Sequence, residues 1–181
     1  MIMNTKSYIE HYTPCFWTAT INSWLPLFYN DRYKEVVIGS LRYLSQNNKV
    51  DVFAFVIMPT HIHLLWQIKE KNGRESPQGS FLKYTAHQFK KMLKQENTRL
   101  LNACKVNAPN KNYEFWKSDS LAIPVTTTGA LMNILSYIHN NPMARKWRLC
   151  NTPEEYRYSS AAFYEQNDQQ FPFLKNIFEI W

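Results

Sequence analysis

The sequence predicts an α+β domain of the ferredoxin-like, split βαβ type. It comprises an antiparallel four-stranded sheet with helices on one face, a further helix after the last strand, and a short C-terminal extension. Three observations predict this. Segments of strand composition and segments of helical periodicity alternate in the order strand, helix, strand, strand, helix, strand, helix. The second and third strands are separated only by Pro59-Thr60, a tight turn that makes them an antiparallel hairpin. The chain has 181 residues, 45% of them hydrophobic, which suits one domain with one substantial core. The core is expected over about 12–148 and the extension over about 149–181, all within a single domain spanning 1–181.

Each element has a local cause. Residues 16–21 are aromatic and β-branched and read as the first strand. Asn30 or Asp31 can cap a helix running to about Gln46, in which Tyr33, Val37, Leu41 and Leu44 recur at helical spacing. Residues 50–58 are nearly all apolar, as in a central strand covered on both faces. Residues 61–69 alternate: Ile62, Leu64, Trp66 and Ile68 face one way, and His61, His63, Leu65 and Gln67 the other. Residues 70–79 are polar, with Gly, Pro and Ser, and read as a mobile loop. Residues 81–95 form a basic amphipathic helix, and 103–117 show no clear period. Residues 121–125 read as a strand whose Pro124 suggests an edge or an end. Thr127 or Thr128 can cap a helix from Ala130 to about Asn140, and Pro142 disfavours helical geometry at Asn141. Pro153 marks a further helix start in the tail. With this order the sheet leaves one face open and the histidines lie on a central strand.

The formal net charge of +7 suggests an anionic partner, with nucleic acid before an acidic membrane. Cys15, Cys104 and Cys150 are widely spaced and contain no CxxC pair, which argues against a disulfide framework and a thiolate zinc site. No apolar run approaches the ~20 residues of a membrane span. Met1 to His11 shows no signal-peptide apolar stretch. A reducing cytoplasm is the expected compartment.

Two short elements carry chemistry. His61 and His63 share one strand face, where a strand packed for stability alone would more naturally present Val or Thr. A His-x-His pair alone is a weak signal, since half-buried strands often carry histidine. Neutral imidazole nevertheless ligates divalent metals, and a third ligand must come from elsewhere. On the helix ending near Asn140, Leu131, Ile134, Leu135 and Ile138 form the apolar stripe. Tyr137 lies on its flank with Asn141 one turn on, His139 falls on the far flank at the surface or boundary, and Asn140 points away. Tyr137 fits two readings, a core-edge packing residue or a nucleophile beside a metal. Lys83, Lys90 and Lys94 recur at spacings of seven and four on the basic helix, and Arg145, Lys146 and Arg148 follow the Tyr137 helix. Both groups suit phosphate contacts, and the lysine row equally suits a solvated face.

Val56-Ile57-Met58-Pro59-Thr60-His61-Ile62-His63-Leu64-Leu65 closely resembles the His-hydrophobic-His motif of the single-tyrosine HUH transposases, the IS200-like family. Ser136-Tyr137-Ile138-His139-Asn140-Asn141-Pro142 resembles that family's second motif. Pro153-Glu154-Glu155-Tyr156-Arg157-Tyr158-Ser159-Ser160-Ala161 resembles a segment of its REP-associated tyrosine transposase branch. The resemblance spans roughly 16–164. It implies a ferredoxin-like fold and a transposase that cleaves and rejoins single-stranded DNA through a 5′-phosphotyrosine. By the same resemblance His61, His63 and Asn141 hold Mg2+ or Mn2+, Tyr137 is the nucleophile, and single-stranded or hairpin DNA is the partner of a monomer or homodimer. Thr60 departs from the Asn of many relatives, and Met143-Ala144-Arg145-Lys146 from the commoner Val-Arg-Ala-Gly. A non-catalytic, ferredoxin-like nucleic-acid-binding protein, a domesticated transposase, is the alternative. A sheet-face RNA binder would place aromatics where this chain has His61 and His63. A small hydrolase using metal-activated water is a third reading, which a covalent DNA adduct would distinguish.

Overall fold

The computed structural model describes residues 11–181. The reading of the N-terminal segment falls, apart from His11, on residues outside these. The α+β architecture is as expected. Strands β1 (Pro14–Thr20), β2 (Val50–Met58), β3 (His61–Ile68) and β6 (Leu121–Pro124) form one antiparallel sheet in the order β2-β3-β1-β6. Helix α1 (Asp31–Gln46) begins at Asn30, whose side chain accepts from the Arg32 N–H. Helix α2 (Pro77–Glu96) starts earlier than its apolar pattern indicates. Ser76 caps it and Pro77 occupies its first turn, so the preceding loop ends at Ser76. The aperiodic 103–117 stretch follows a short helix, α3 (Thr98–Ala103), and holds a small hairpin of β4 (Lys105–Ala108) and β5 (Lys111–Tyr113).

The alternation in β3 sorts the core into two layers. Ile62, Leu64, Trp66 and Ile68 pack with Trp17 and Ala19 of β1 and with the apolar faces of α1 and α2. On the other side, Phe16, Val56, Met58 and Leu65 pack with Leu131, Leu135 and Ile138 of α4 (Thr128–Asn140). The second sheet face is therefore not left open: α4 and part of the C-terminal extension cover it. A β-bulge at Phe53 places Phe53 and Ala54 on the α4 side together and lets Phe55 and Ile57 face α1 and α2.

Strand β2 differs from the expected central strand: it lies at the sheet edge, although both its faces are buried. Its unpaired side is satisfied by the extension. Ile57 N–H donates to Tyr158 O, Ser160 N–H to Phe55 O, and Lys175 N–H to Val52 O. This covers an apolar edge that would otherwise template pairing with another chain. Pro153 begins a single 3-10 turn, Pro153–Glu155, and the tail's α-helix is α5 (Ala161–Gln166). Strand β6 is the opposite edge and ends in Pro124, as its composition indicates. Among the described residues no helix is long and apolar enough to cross a membrane.

Candidate active site

His61 and His63 come from the start of β3, and because strand side chains alternate they share the face that α4 covers. Their ring centroids are 4.7 Å apart. Both are buried, at 8% and 5% exposure. The cross-strand register sets Thr18 of β1 directly opposite His63, and Thr18 Oγ1 lies 2.7 Å from His63 Nδ1. Thr60 Oγ1 lies 3.0 Å from His61 Nδ1. A proton on each Nδ1 satisfies both contacts and leaves both Nε2 lone pairs available, which is how a ligating imidazole is usually oriented. Burial, and then the nearby Lys146 charge, brings His61 down to about 4. Burial, and then the His61 charge, brings His63 down to about 3. Both rings are thus neutral near pH 7, the protonation state a metal requires.

Helix α4 brings Tyr137 to this pair. Thr127 caps the helix by accepting from the Ala130 N–H at 3.2 Å. Leu131, Leu135 and Ile138 seat it against the sheet, which leaves Tyr137 at the boundary with 51% of its surface exposed. The Tyr137 hydroxyl lies 3.4 Å from His63 Nε2, and the two ring centroids are 5.1 Å apart. Phe16 stacks on His63 at 5.4 Å and meets Tyr137 edge-on at 5.9 Å, so a single aromatic holds both. Asn141 keeps right-handed helical angles (φ −55°, ψ −41°) despite Pro142, so the helical turn runs on through it. Its side chain makes no hydrogen bond among the described residues. A 3-10 turn, Asn141–Met143, then carries the chain to Trp147, whose ring lies 5.8 Å from His61.

The other sequence-nominated residues divide between the two layers. Arg145, Lys146 and Arg148 are exposed and follow α4, on the histidine side. Lys83, Lys90 and Lys94 are on α2, in the layer across the sheet from the histidines. Lys83 is paired with Glu75 at 2.6 Å, and Lys90 lies over the Tyr113 ring at 4.7 Å. Thr18, Phe16, Trp24 and Trp147 were not nominated. Thr18 enters only through strand register and Phe16 reads only as part of the first strand, whereas the tryptophans lie in segments without a period.

His139, expected at the surface or boundary, is buried, with Nε2 2.9 Å from Ser160 Oγ. It therefore joins α4 to the extension covering β2. Burial lowers it from the ordinary 6.5 to about 4. Because the folded value is the lower one, the unfolded chain takes up the proton first as pH falls. The stability this neutral ring contributes is present above pH 6.5 and is lost as pH falls toward 4. Denaturant titrations should show His139→Gln flattening this decline by up to about 1.4 kcal/mol per pH unit. An unchanged slope would refute the burial argument.

Two imidazole Nε2 atoms fit a divalent ion that takes its remaining ligands from oxygen. Among the described residues no cluster of three His, Cys, Asp or Glu side chains could hold a metal, so an ion on this pair would need an amide, water or substrate oxygen as its third ligand. A REP-associated tyrosine transposase, solved bound to a REP hairpin, superposes with a TM-score of 0.64 at 14% identity, covering 95% of this chain and 90% of that one. This chain shares the fold of that solved protein. A candidate transposase from Deinococcus radiodurans matches at a TM-score of 0.42 and 16% identity over 77% of this chain and 97% of that one. No protein-family model matches the chain, and no curated protein matches it in sequence. The three sequence motifs fall on the β2–β3 hairpin, on the end of α4 with the 3-10 turn after it, and in the strand-covering extension.

Proposed function

We propose that the chain is a single-tyrosine transposase that cleaves and rejoins single-stranded DNA, with Tyr137 as nucleophile and His61, His63 and Asn141 as the protein ligands of Mg2+ or Mn2+. The observation that carries this reading is the 3.4 Å approach of the Tyr137 hydroxyl to His63 Nε2, across two elements that are separate in sequence. Held by His61, His63 and Asn141, a divalent ion would polarise a non-bridging phosphate oxygen and favour the ionised form of the Tyr137 hydroxyl. Tyr137 oxygen attacks phosphorus, a P–O bond to tyrosine forms, the P–O3′ bond breaks, and the 3′-OH leaves. The phosphodiester bond energy is kept in the phosphotyrosine, so the reverse step on another strand end needs no nucleotide triphosphate. The solved neighbour's bound hairpin supports a hairpin-forming strand as the DNA partner here too. Arg145, Lys146 and Arg148, exposed beside the histidine pair, are the proposed contacts to its phosphates. Lys83, Lys90 and Lys94 can contact only DNA that reaches the opposite layer.

The test is incubation of the whole chain with labelled single-stranded DNA from its genomic flanks, followed by denaturing gels. A covalent adduct mapping to Tyr137 is expected. A chain that binds this DNA but forms no adduct would favour the non-catalytic alternative. Thr18→Val keeps the β-branched strand geometry and deletes the hydroxyl facing His63 Nδ1. Calorimetric Mn2+ affinity should fall about 10- to 100-fold, as when a ligand's hydrogen-bond partner is removed. Unchanged affinity would remove Thr18 from the site.

A further inference from the structure

We infer that Trp24 is a stacking platform for one unpaired nucleobase of single-stranded DNA, with Lys117 and Lys146 placed to hold the adjoining phosphates. The inference rests on the DNA-binding reading above and adds a position that reading does not contain. Trp24 lies in the turn after β1, and its ring centroid is 6.2 Å from that of His61. A base stacked there neighbours any phosphate held at the histidine pair.

An exposed tryptophan alone says little. Trp24 is 54% exposed, and it is also held at a backbone angle that bulky side chains avoid. Ser23 and Trp24 have φ of 55° and 54°, two successive left-handed residues with neither Gly nor Asn between them. The chain is fixed on both sides of the turn: before it, Ile21 N–H donates to Thr60 O, Asn22 N–H to Phe115 O and Lys117 N–H to Thr20 O, and after it Phe28 N–H donates to Pro59 O. An imposed, costly conformation that presents a large ring to solvent points to a use for that ring.

The ring's neighbours indicate what it takes. Lys117 Nζ lies 5.5 Å and Lys146 Nζ 5.6 Å from its centroid. Lys146 is also 4.8 Å from the Trp147 ring and has no carboxylate partner among the described residues. Lys117 is in part offset by Asp119 at 3.4 Å. Two cations gathered at one exposed aromatic, beside a site for phosphate chemistry, suit a polyanion whose units carry π-faces. In a duplex those faces are stacked on one another, so the occupant is an unpaired base.

The test uses the whole chain, a fluorescein-labelled oligothymidylate and an abasic oligomer of equal length, read by anisotropy at one salt concentration. Wild type should prefer the thymidylate. Trp24→Gly deletes the ring at a backbone angle that glycine adopts freely, so the fold is not put at risk, and thermal unfolding checks this. Its thymidylate affinity should fall about 5- to 150-fold, the value of one base–aromatic stack, with little change for the abasic oligomer. Trp24→Phe should retain most of the preference. Equal losses on both oligomers would mean that Trp24 only props the lysines, and would overturn the inference, as would an undiminished preference in Trp24→Gly. If the wild type binds no thymidylate, both this inference and the DNA-binding reading fall. If the Trp24 effect is present while Tyr137 forms no adduct, only the proposed chemistry falls.

Discussion

Tyr137→Phe is expected to abolish the covalent protein–DNA adduct and strand transfer while leaving folding, metal binding and DNA binding in place. The substitution keeps the ring that Phe16 and His63 contact and removes only the hydroxyl. That hydroxyl is on a half-exposed side chain, and among the described residues its one hydrogen-bond partner is His63 at 3.4 Å. Its loss should therefore cost at most about 1 kcal/mol of stability. Nucleophilic attack, in contrast, has no substitute for the deleted oxygen. Three tyrosines serve as controls. Tyr156 and Tyr158 donate to Ile57 O and Glu35, anchoring the extension, and Tyr84 is exposed on α2 across the sheet. Their Phe variants should form adducts at the wild-type position. An adduct in Tyr137→Phe, or one mapped by peptide mass to another tyrosine, would overturn the assignment.

The second large effect is expected from the histidine pair. Replacing both with glutamine should lower metal-dependent cleavage by at least about 10³-fold, corresponding to the several kcal/mol a Lewis acid contributes to a phosphoryl transition state. Glutamine is preferred to alanine because both rings are buried against Phe16 and Trp147. Alanine would open a cavity and confound ligand loss with instability. Calorimetric Mn2+ affinity should fall sharply in the same variant, because two imidazole ligands are replaced by weaker amide donors, and excess chelator should silence the wild type. Cleavage that survives either the substitutions or the chelator would reject the metal role.

Local periodicity was enough to establish much of this protein. The two-residue repeat of β3 put His61 and His63 on one face, and the helical repeat put Tyr137 at the edge of the apolar stripe with Asn141 a turn beyond. Strand and helix composition gave the element order, and that order gave the fold class. These are short-range properties, set by backbone geometry within about ten residues, and a sequence displays them directly.

The tertiary structure decided everything that depends on which face meets which. Periodicity shows that a helix has an apolar stripe, but not the side of the sheet on which the stripe lands. Only the packed chain places α4 on the histidine side and α2, with Lys83, Lys90 and Lys94, on the other. Strand register, a long-range property, set Thr18 against His63. Burial of His61, His63 and His139 likewise depends on what distant segments cover them. The extension that closes the edge of β2 is distant in sequence and approaches through backbone hydrogen bonds, which leave no residue signature.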